Sequence, residues 1–81
     1  MTDLIPTMRL CLDELLKEQQ ISRYELAKRT GVTYQTIDSY YKNKVLRYDT
    51  EVLLKICLAL NCEISQLIKI TMQNAESRIE N

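Results

Sequence analysis

The stretch ISRYELAKRTGVTYQTIDSYYKNK, residues 21–44, decides the fold of this 81-residue chain. Ser22 is followed three residues later by Glu25, which is the spacing of a capping box and opens a helix over residues 23–30. Gly31 is the single glycine of the chain. It is placed to end that helix, because glycine adopts the left-handed backbone conformation without strain.

A second helix follows almost at once, with Thr33 as its cap and residues 34–42 as its expected extent. The connection is so short that the two helices must cross at a steep angle. Ala27 has a small side chain and lets them approach closely. The interior that they share is expected to contain Leu26, Ala27, Val32, Ile37 and Tyr40.

The segment before this helix pair predicts a helix over residues 7–19. Apolar residues recur from Met8 to Leu16 at the spacing of one helix face, and Pro6 suits a helix start. The run from Met8 to Leu12 also alternates between apolar and other residues, as a short strand would. We favour the helix because the pattern continues past Leu12 without a break.

Two further helices are predicted after the pair, over residues 50–60 and 63–70, with Asn61 as the terminator between them. We expect the polar segment 73–81 to fray. The sequence therefore predicts an all-α, compact five-helix bundle, with one domain over residues 1–70 and a tail over residues 71–81.

Composition excludes several classes of protein. The chain has no histidine and only three cysteines, an odd number without paired CxxC spacing. A disulfide framework, a zinc site and histidine-assisted catalysis are therefore not expected, and free cysteines fit a cytoplasmic protein. No apolar run approaches the length of a membrane span. We predict no enzyme activity, metal, cofactor or small-molecule substrate.

Charge is distributed unevenly although the chain as a whole is neutral, with eleven basic and eleven acidic residues. Residues 17–48 hold seven basic and three acidic residues, a net of +4, while each flank has a net of −2. All five tyrosines lie in the same basic segment. This asymmetry favours an anionic partner that meets one side of the molecule.

Residues 21–44 resemble the helix-turn-helix of the phage Cro and repressor family, a large group of bacterial and phage regulators. The matching positions are Leu26-Ala27, Gly31-Val32, Ile37 and the aromatic Tyr40. The likeness covers roughly residues 8–70. The chain departs from the family at Asn43, where many members have glycine; asparagine tolerates the left-handed conformation that a turn needs there. The chain also carries less positive charge than many members.

The resemblance implies the fold of lambda-repressor-like DNA-binding domains, with helix 34–42 in the major groove. The residues expected to face base edges are Thr33, Tyr34, Gln35, Thr36 and Ser39. The residues expected to hold phosphates are Arg23, Lys42, Lys44 and Arg47. Gln35 is the strongest candidate for specificity, because its amide can donate to and accept from adenine together. Asp38 is expected to hold Lys42 or to accept from a cytosine amino group, and Tyr24 to be a partly buried anchor.

The implied function is a sequence-specific transcriptional regulator of double-stranded DNA, with repression as the favoured role. A single module contacts few base pairs, so a homodimer is expected. Its surface is sought among Ile68, Ile70 and Met72, or along Met8 to Leu12. The alternative is a protein-interaction module, an antitoxin or anti-repressor, which the zero net charge favours slightly.

Overall fold

The computed structural model describes residues 4–74, which form five helices and a two-stranded antiparallel sheet. The elements, in chain order, are β1 Leu4–Leu10, α1 Leu12–Gln19, α2 Arg23–Thr30, α3 Tyr34–Tyr41, α4 Thr50–Leu60, α5 Ile64–Leu67 and β2 Ile68–Asn74. The predicted number and order of helices are correct. The prediction of an all-α fold is wrong, because both ends of the described chain are strands.

The start of the first helix was placed too early. Residues 4–10 form β1, and α1 begins only at Leu12, so the alternation that begins at Met8 belongs to a strand. Pro6, expected near a helix start, lies inside β1, where an edge strand tolerates a residue without an N–H. The chain turns into α1 at Cys11, whose backbone N–H donates to the carbonyl of Leu67 at 2.7 Å.

The fifth helix is shorter than predicted, because α5 ends at Leu67 and the remainder of the segment is β2. Residues 68–72 alternate apolar and polar side chains, which suits a strand once β1 is available to pair with it. The register places Leu10 opposite Ile68 and Leu4 opposite Asn74. The expected frayed segment begins within β2, and residues 75–81 lie outside the described part of the chain.

The central helix pair forms as the sequence predicts. The Ser22 hydroxyl accepts from the backbone N–H of Glu25 at 3.0 Å, and Gly31 ends α2 with a left-handed φ of 75°. Only half of the capping box is made, because the Glu25 carboxylate accepts instead from Arg29 Nε at 3.1 Å. Thr33 caps α3 by accepting from the N–H of Thr36.

One hydrophobic core holds the helices and the base of the sheet together. Leu26, Ile37 and Tyr40 are buried at its centre, and Ala27 and Val32 pack against them, as expected. The other buried members are Leu10, Leu12, Leu15, Leu16, Ile56, Leu60 and Leu67. The tyrosine hydroxyl of this core is satisfied, since Tyr40 Oη accepts from the N–H of Asp49 at 2.8 Å. The crossing of α2 and α3 is therefore held by this shared core.

Asn43 joins the end of α3 to the sheet. Its φ of 57° is left-handed, as expected of asparagine where the family often has glycine. Its side chain does more than tolerate the turn. Asn43 Oδ1 accepts from the N–H of Leu10 at 2.7 Å, and Nδ2 donates to the Leu10 carbonyl at 3.0 Å. The amide thus satisfies both backbone groups of the last β1 residue.

Replacement of Asn43 by glycine is expected to lower the free energy of unfolding by about 1–2 kcal/mol, because glycine keeps the backbone conformation but leaves Leu10 without two partners. Urea denaturation followed by circular dichroism measures the change. The matched control is Asn61→Gly. Asn61 is also left-handed, with φ 53°, and its side chain makes no hydrogen bond recorded within residues 4–74. Equal effects of the two substitutions would contradict the role assigned to the amide.

Candidate nucleic-acid interface

Helix α3 has one buried and one open edge. Ile37 is 0% exposed and Tyr40 3%, whereas Gln35 is exposed. Gln35 and Ser39 are each two residues from Ile37, about 200° around the helix axis, so burial of Ile37 turns both outward. They are four residues apart and therefore share one face. Ser39 is half-buried. The polar edge therefore lies on the outside of the molecule, and among residues 4–74 no element closes over Gln35.

Thr33 and Thr36 form a small hydroxyl pair at the start of this edge. Thr33 Oγ1 accepts from the N–H of Thr36 at 3.3 Å and lies 3.0 Å from Thr36 Oγ1. In this arrangement the Thr33 hydroxyl donates to Thr36 while it caps the helix. Thr36 keeps its own proton for another acceptor, so of the two it has the greater capacity to bind an external group.

Two of the four expected phosphate-binding cations share one carboxylate. Asp38 Oδ1 accepts from Arg23 Nη1 on α2, and Asp38 Oδ2 lies 3.1 Å from Lys42 Nζ. The hydrogen bond from Lys42, with a second one from Arg23, holds the pKa of the Asp38 carboxyl below its ordinary value. Asp38 is therefore ionised at neutral pH and links the beginning of α2 to the end of α3.

Tyrosine rings surround the same arginine. The Arg23 guanidinium lies 4.5 Å from the ring centre of Tyr41 and 5.9 Å from that of Tyr34. Tyr34 in turn stacks on Tyr24, with ring centres 4.5 Å apart and planes inclined by 22°. Tyr24 was expected to be partly buried, but it is 69% exposed because its partner is another surface tyrosine. The stack forms a flat aromatic surface beside the start of α3.

The loop after α3 carries the other two expected cations. Lys44 and Arg47 are both exposed, and within residues 4–74 neither lies in an ion pair. Between them Leu46 is 99% exposed. These two side chains are therefore available to an anion without breaking a contact of the protein, unlike Arg23 and Lys42.

Acidic residues of α1 lie near the cation cluster, which we define as Arg23, Asp38 and Lys42. Asp13 and Glu14 line one open cavity of about 530 Å³ together with Arg23 and Tyr41. Both carboxylates also pair with Arg9, at 3.2 Å and 3.6 Å. The Asp13 charge is the main reason that the pKa of Arg9 is raised. Arg9 thus partly compensates the negative charge of Asp13 and Glu14. Gln35 and Thr36 do not line this cavity.

The structure brings together residues that sequence spacing does not connect. Arg23, Asp38 and Tyr41 meet only because α2 and α3 cross, and the Tyr24–Tyr34 stack has the same origin. The sequence contained one signal for the cluster, the spacing of Asp38 and Lys42, and that contact is present. Nothing in the sequence indicated that Arg23 would join them.

The cysteines make no covalent link. All three are free; Cys11 is buried, while Cys57 and Cys62 are half-buried. Burial raises the pKa of the Cys62 thiol to about 11, so it is protonated at neutral pH. Residues 4–74 contain no cluster of three or more histidine, cysteine, aspartate or glutamate side chains placed to hold a metal ion.

The protein has a short helix pair with a tight turn, an open polar edge on the second helix, and cations beside that edge. These features define the class of helix-turn-helix DNA-binding proteins. Comparison with known proteins agrees. Residues 11–73 match the Cro/C1-type HTH DNA-binding domain, and the chain belongs to that family. The resemblance found in the sequence is confirmed.

Curated relatives are named as regulators. The chain is 32% identical over 66 residues to an uncharacterized HTH-type transcriptional regulator of Rickettsia conorii, with 78% of this chain and 61% of that relative aligned. A second one, of Rickettsia prowazekii, is 30% identical over 66 residues, with 78% of this chain and 72% of that relative aligned. The chain thus spans less than two thirds of the length of the first relative.

Solved structures share the fold. The crystal structure of the transcriptional regulator VanUg, form II, has a TM-score of 0.68 and 28% identity, covering 84% of this chain and 89% of that one. The crystal structure of a proposed DNA-binding protein from Bacteroides fragilis has a TM-score of 0.69 and 28% sequence identity to this chain. The alignment covers 78% of this chain and 100% of that one. Within the described residues, no helix is both long and apolar enough to cross a membrane.

Proposed function

We propose that the protein is a sequence-specific regulator of double-stranded DNA that represses transcription, with α3 inserted in the major groove. The observation that carries this proposal is the open edge of α3, where exposed Gln35 stands at the start of a helix whose other edge is buried. A helix presented in this way matches the geometry in which N-terminal side chains reach base edges.

The roles of the side chains follow from their chemistry. Gln35 reads adenine through its amide, and Ser39 lies one turn further along the same edge. Thr33 mainly holds the helix start, Thr36 offers a free hydroxyl proton, and Tyr34 presents a ring edge to a thymine methyl group or its hydroxyl to a phosphate. The phosphate contacts come from Arg23, Lys42, Lys44 and Arg47, which set the register of the protein on DNA.

Alanine at Gln35 is expected to weaken binding to the selected site by about 1–3 kcal/mol and to relax one base position. Alanine at Lys44 is expected to weaken binding to all duplexes alike. It should also reduce by about 1 the salt slope, which is the steepness with which the logarithm of the binding constant falls with the logarithm of the salt concentration. Selection of bound fragments from random DNA, followed by fluorescence anisotropy on the selected site and on a scrambled site, measures both.

The matched control for Lys44 is Lys69→Ala, an exposed cation on β2 that is outside the proposed contact set. It should leave both affinities nearly unchanged. The proposed division between base and phosphate contacts is contradicted if each of the two variants, Gln35→Ala and Lys44→Ala, loses as much affinity for scrambled DNA as for the selected site.

A homodimer completes the proposal, because two modules with half-sites about 34 Å apart specify a longer operator than one. A second candidate function is a protein-interaction module, an antitoxin or anti-repressor. It is favoured by an open apolar groove of about 410 Å³ lined by Thr50, Leu53, Leu54, Cys57 and Ile64. A salt-titrated gel shift separates the two functions: no shift at low salt supports the second.

A further inference from the structure

The outer part of the two-stranded sheet has an exposed apolar face. We define the outer sheet face as Leu4, Pro6, Met8, Ile70 and Met72. Its four large members are exposed by 57%, 56%, 72% and 57% for Leu4, Met8, Ile70 and Met72. The register places Met8 opposite Ile70 and Pro6 opposite Met72, so these side chains are neighbours on one face.

This face continues directly from the core. Leu10 and Ile68 form the next pair of the same ladder; Leu10 is 0% exposed and Ile68 packs against the core cluster. The apolar surface therefore begins inside the protein and runs outward along the strands. Within residues 4–74 nothing covers its outer part.

The opposite face of the sheet carries the half-buried Ile5 and, further along β1, polar side chains with contacts of their own. The Thr7 and Thr71 hydroxyls lie 3.1 Å apart, and Arg9 Nη2 lies 3.2 Å from Asp13 Oδ2 on α1. Apart from Ile5, alternation along both strands has thus placed the polar side chains on one face and the apolar side chains on the other. Such sorting is typical of a sheet that buries one face.

A two-stranded sheet is at best marginally stable in water, and a further layer on its apolar face would stabilise it. The four large side chains expose roughly 500 Å² per molecule, which is at the upper end of the patches found on monomers. Two such faces in contact would bury about 1,000 Å², close to the lower limit for a specific interface.

We propose that the outer sheet face binds the same face of a second copy of this chain, related by a two-fold axis. The patch contains no charged residue and the chain has zero net charge, so two copies meet without repulsion. A two-fold axis makes the surface its own complement. Pro6 cannot donate a hydrogen bond from the free edge of β1, which disfavours edge pairing there and favours contact through the faces.

This inference deepens the homodimer of the proposed function by assigning its surface. The helix groove that Leu54 and Ile64 line is the competing apolar surface. Matched controls come from Leu54 in this groove and from Leu58 outside it on the same helix. Leu58 on α4 is 72% exposed, as is Ile70, and Leu54 is 58% exposed against 56% for Met8. Lysine at any of these four positions adds one positive charge at a site with similar exposure.

The experiment is sedimentation equilibrium on the full chain at about 100 µM, a concentration at which even a weak micromolar dimer is populated. We expect wild-type dimers, and a dimer dissociation constant raised by more than about tenfold in Ile70→Lys, since each substitution occurs twice across the axis. Leu58→Lys should leave the constant unchanged. If Ile70→Lys does not fold by circular dichroism, the pair Met8→Lys and Leu54→Lys gives the same comparison.

Three results would overturn the assignment: a monomeric wild type, a dimer that survives Ile70→Lys and Met8→Lys, or equal loss in the sheet and α4 variants. Anisotropy on a scrambled duplex at low salt is measured in parallel. Wild-type dimers that do not bind DNA would uphold the sheet contact and defeat the proposed function. A monomer that binds DNA would do the reverse.

Discussion

Alanine in place of Ile37 is expected to lower the free energy of unfolding by about 2–5 kcal/mol, which is the range for truncation of a fully buried aliphatic side chain. Ile37 is 0% exposed and packs in the core on the inner edge of α3. A domain of this size has a total stability of only about 4–12 kcal/mol, so the substitution removes a large part of it. Urea denaturation measures the loss.

Ile37→Val is the graded control and should cost only about 0.5–1.5 kcal/mol. Gln35→Ala is the positional control, because Gln35 is exposed two residues away on the same helix and its truncation should change stability little. A loss below about 1 kcal/mol for Ile37→Ala would contradict the packing that holds α3 at its angle.

DNA affinity is expected to fall about 40-fold between 50 and 200 mM salt for each bound copy. The proposed contact set has four cations, Arg23, Lys42, Lys44 and Arg47, and one carboxylate, Asp38, within it. Four positive charges minus one negative charge leave about three, and each phosphate neutralised contributes about −0.9 to the salt slope. Fluorescence anisotropy on a scrambled duplex of the length of one half-site measures the phosphate contribution to affinity without base contacts.

Asp38→Asn tests how the carboxylate acts. It frees Arg23 and Lys42 from the pairs at Asp38, so the slope should steepen by about 1 and low-salt affinity should rise for every sequence. Glu51→Gln adds the same charge to the chain but breaks a pair with Lys55 on α4, and should leave the slope unchanged. Weaker binding by Asp38→Asn would instead indicate that Asp38 positions Arg23 for its phosphate.

The parts of the sheet and of the cation cluster lie far apart in the chain, whereas the two helices of the central pair are adjacent in it. The helix pair was predictable because its signals are local: the Ser22 cap, Gly31, the Thr33 cap and the burial pattern all act within a few residues. Asn43 was predicted to tolerate its turn, but its amide bridge to Leu10 joins positions 33 residues apart and left no trace in the local pattern.

The sequence by itself determined the helix-turn-helix, its family and the set of polar and basic side chains on and around α3. Tertiary structure alone decided that residues 4–10 and 68–74 are strands, since each has apolar spacing that a helix or a strand could satisfy. It also decided that Arg23 and Lys42 share Asp38, because that contact depends on the crossing of two helices. Local hydrogen bonds fix caps and turns wherever they occur, whereas a strand or a shared carboxylate exists only when a distant partner is brought to it.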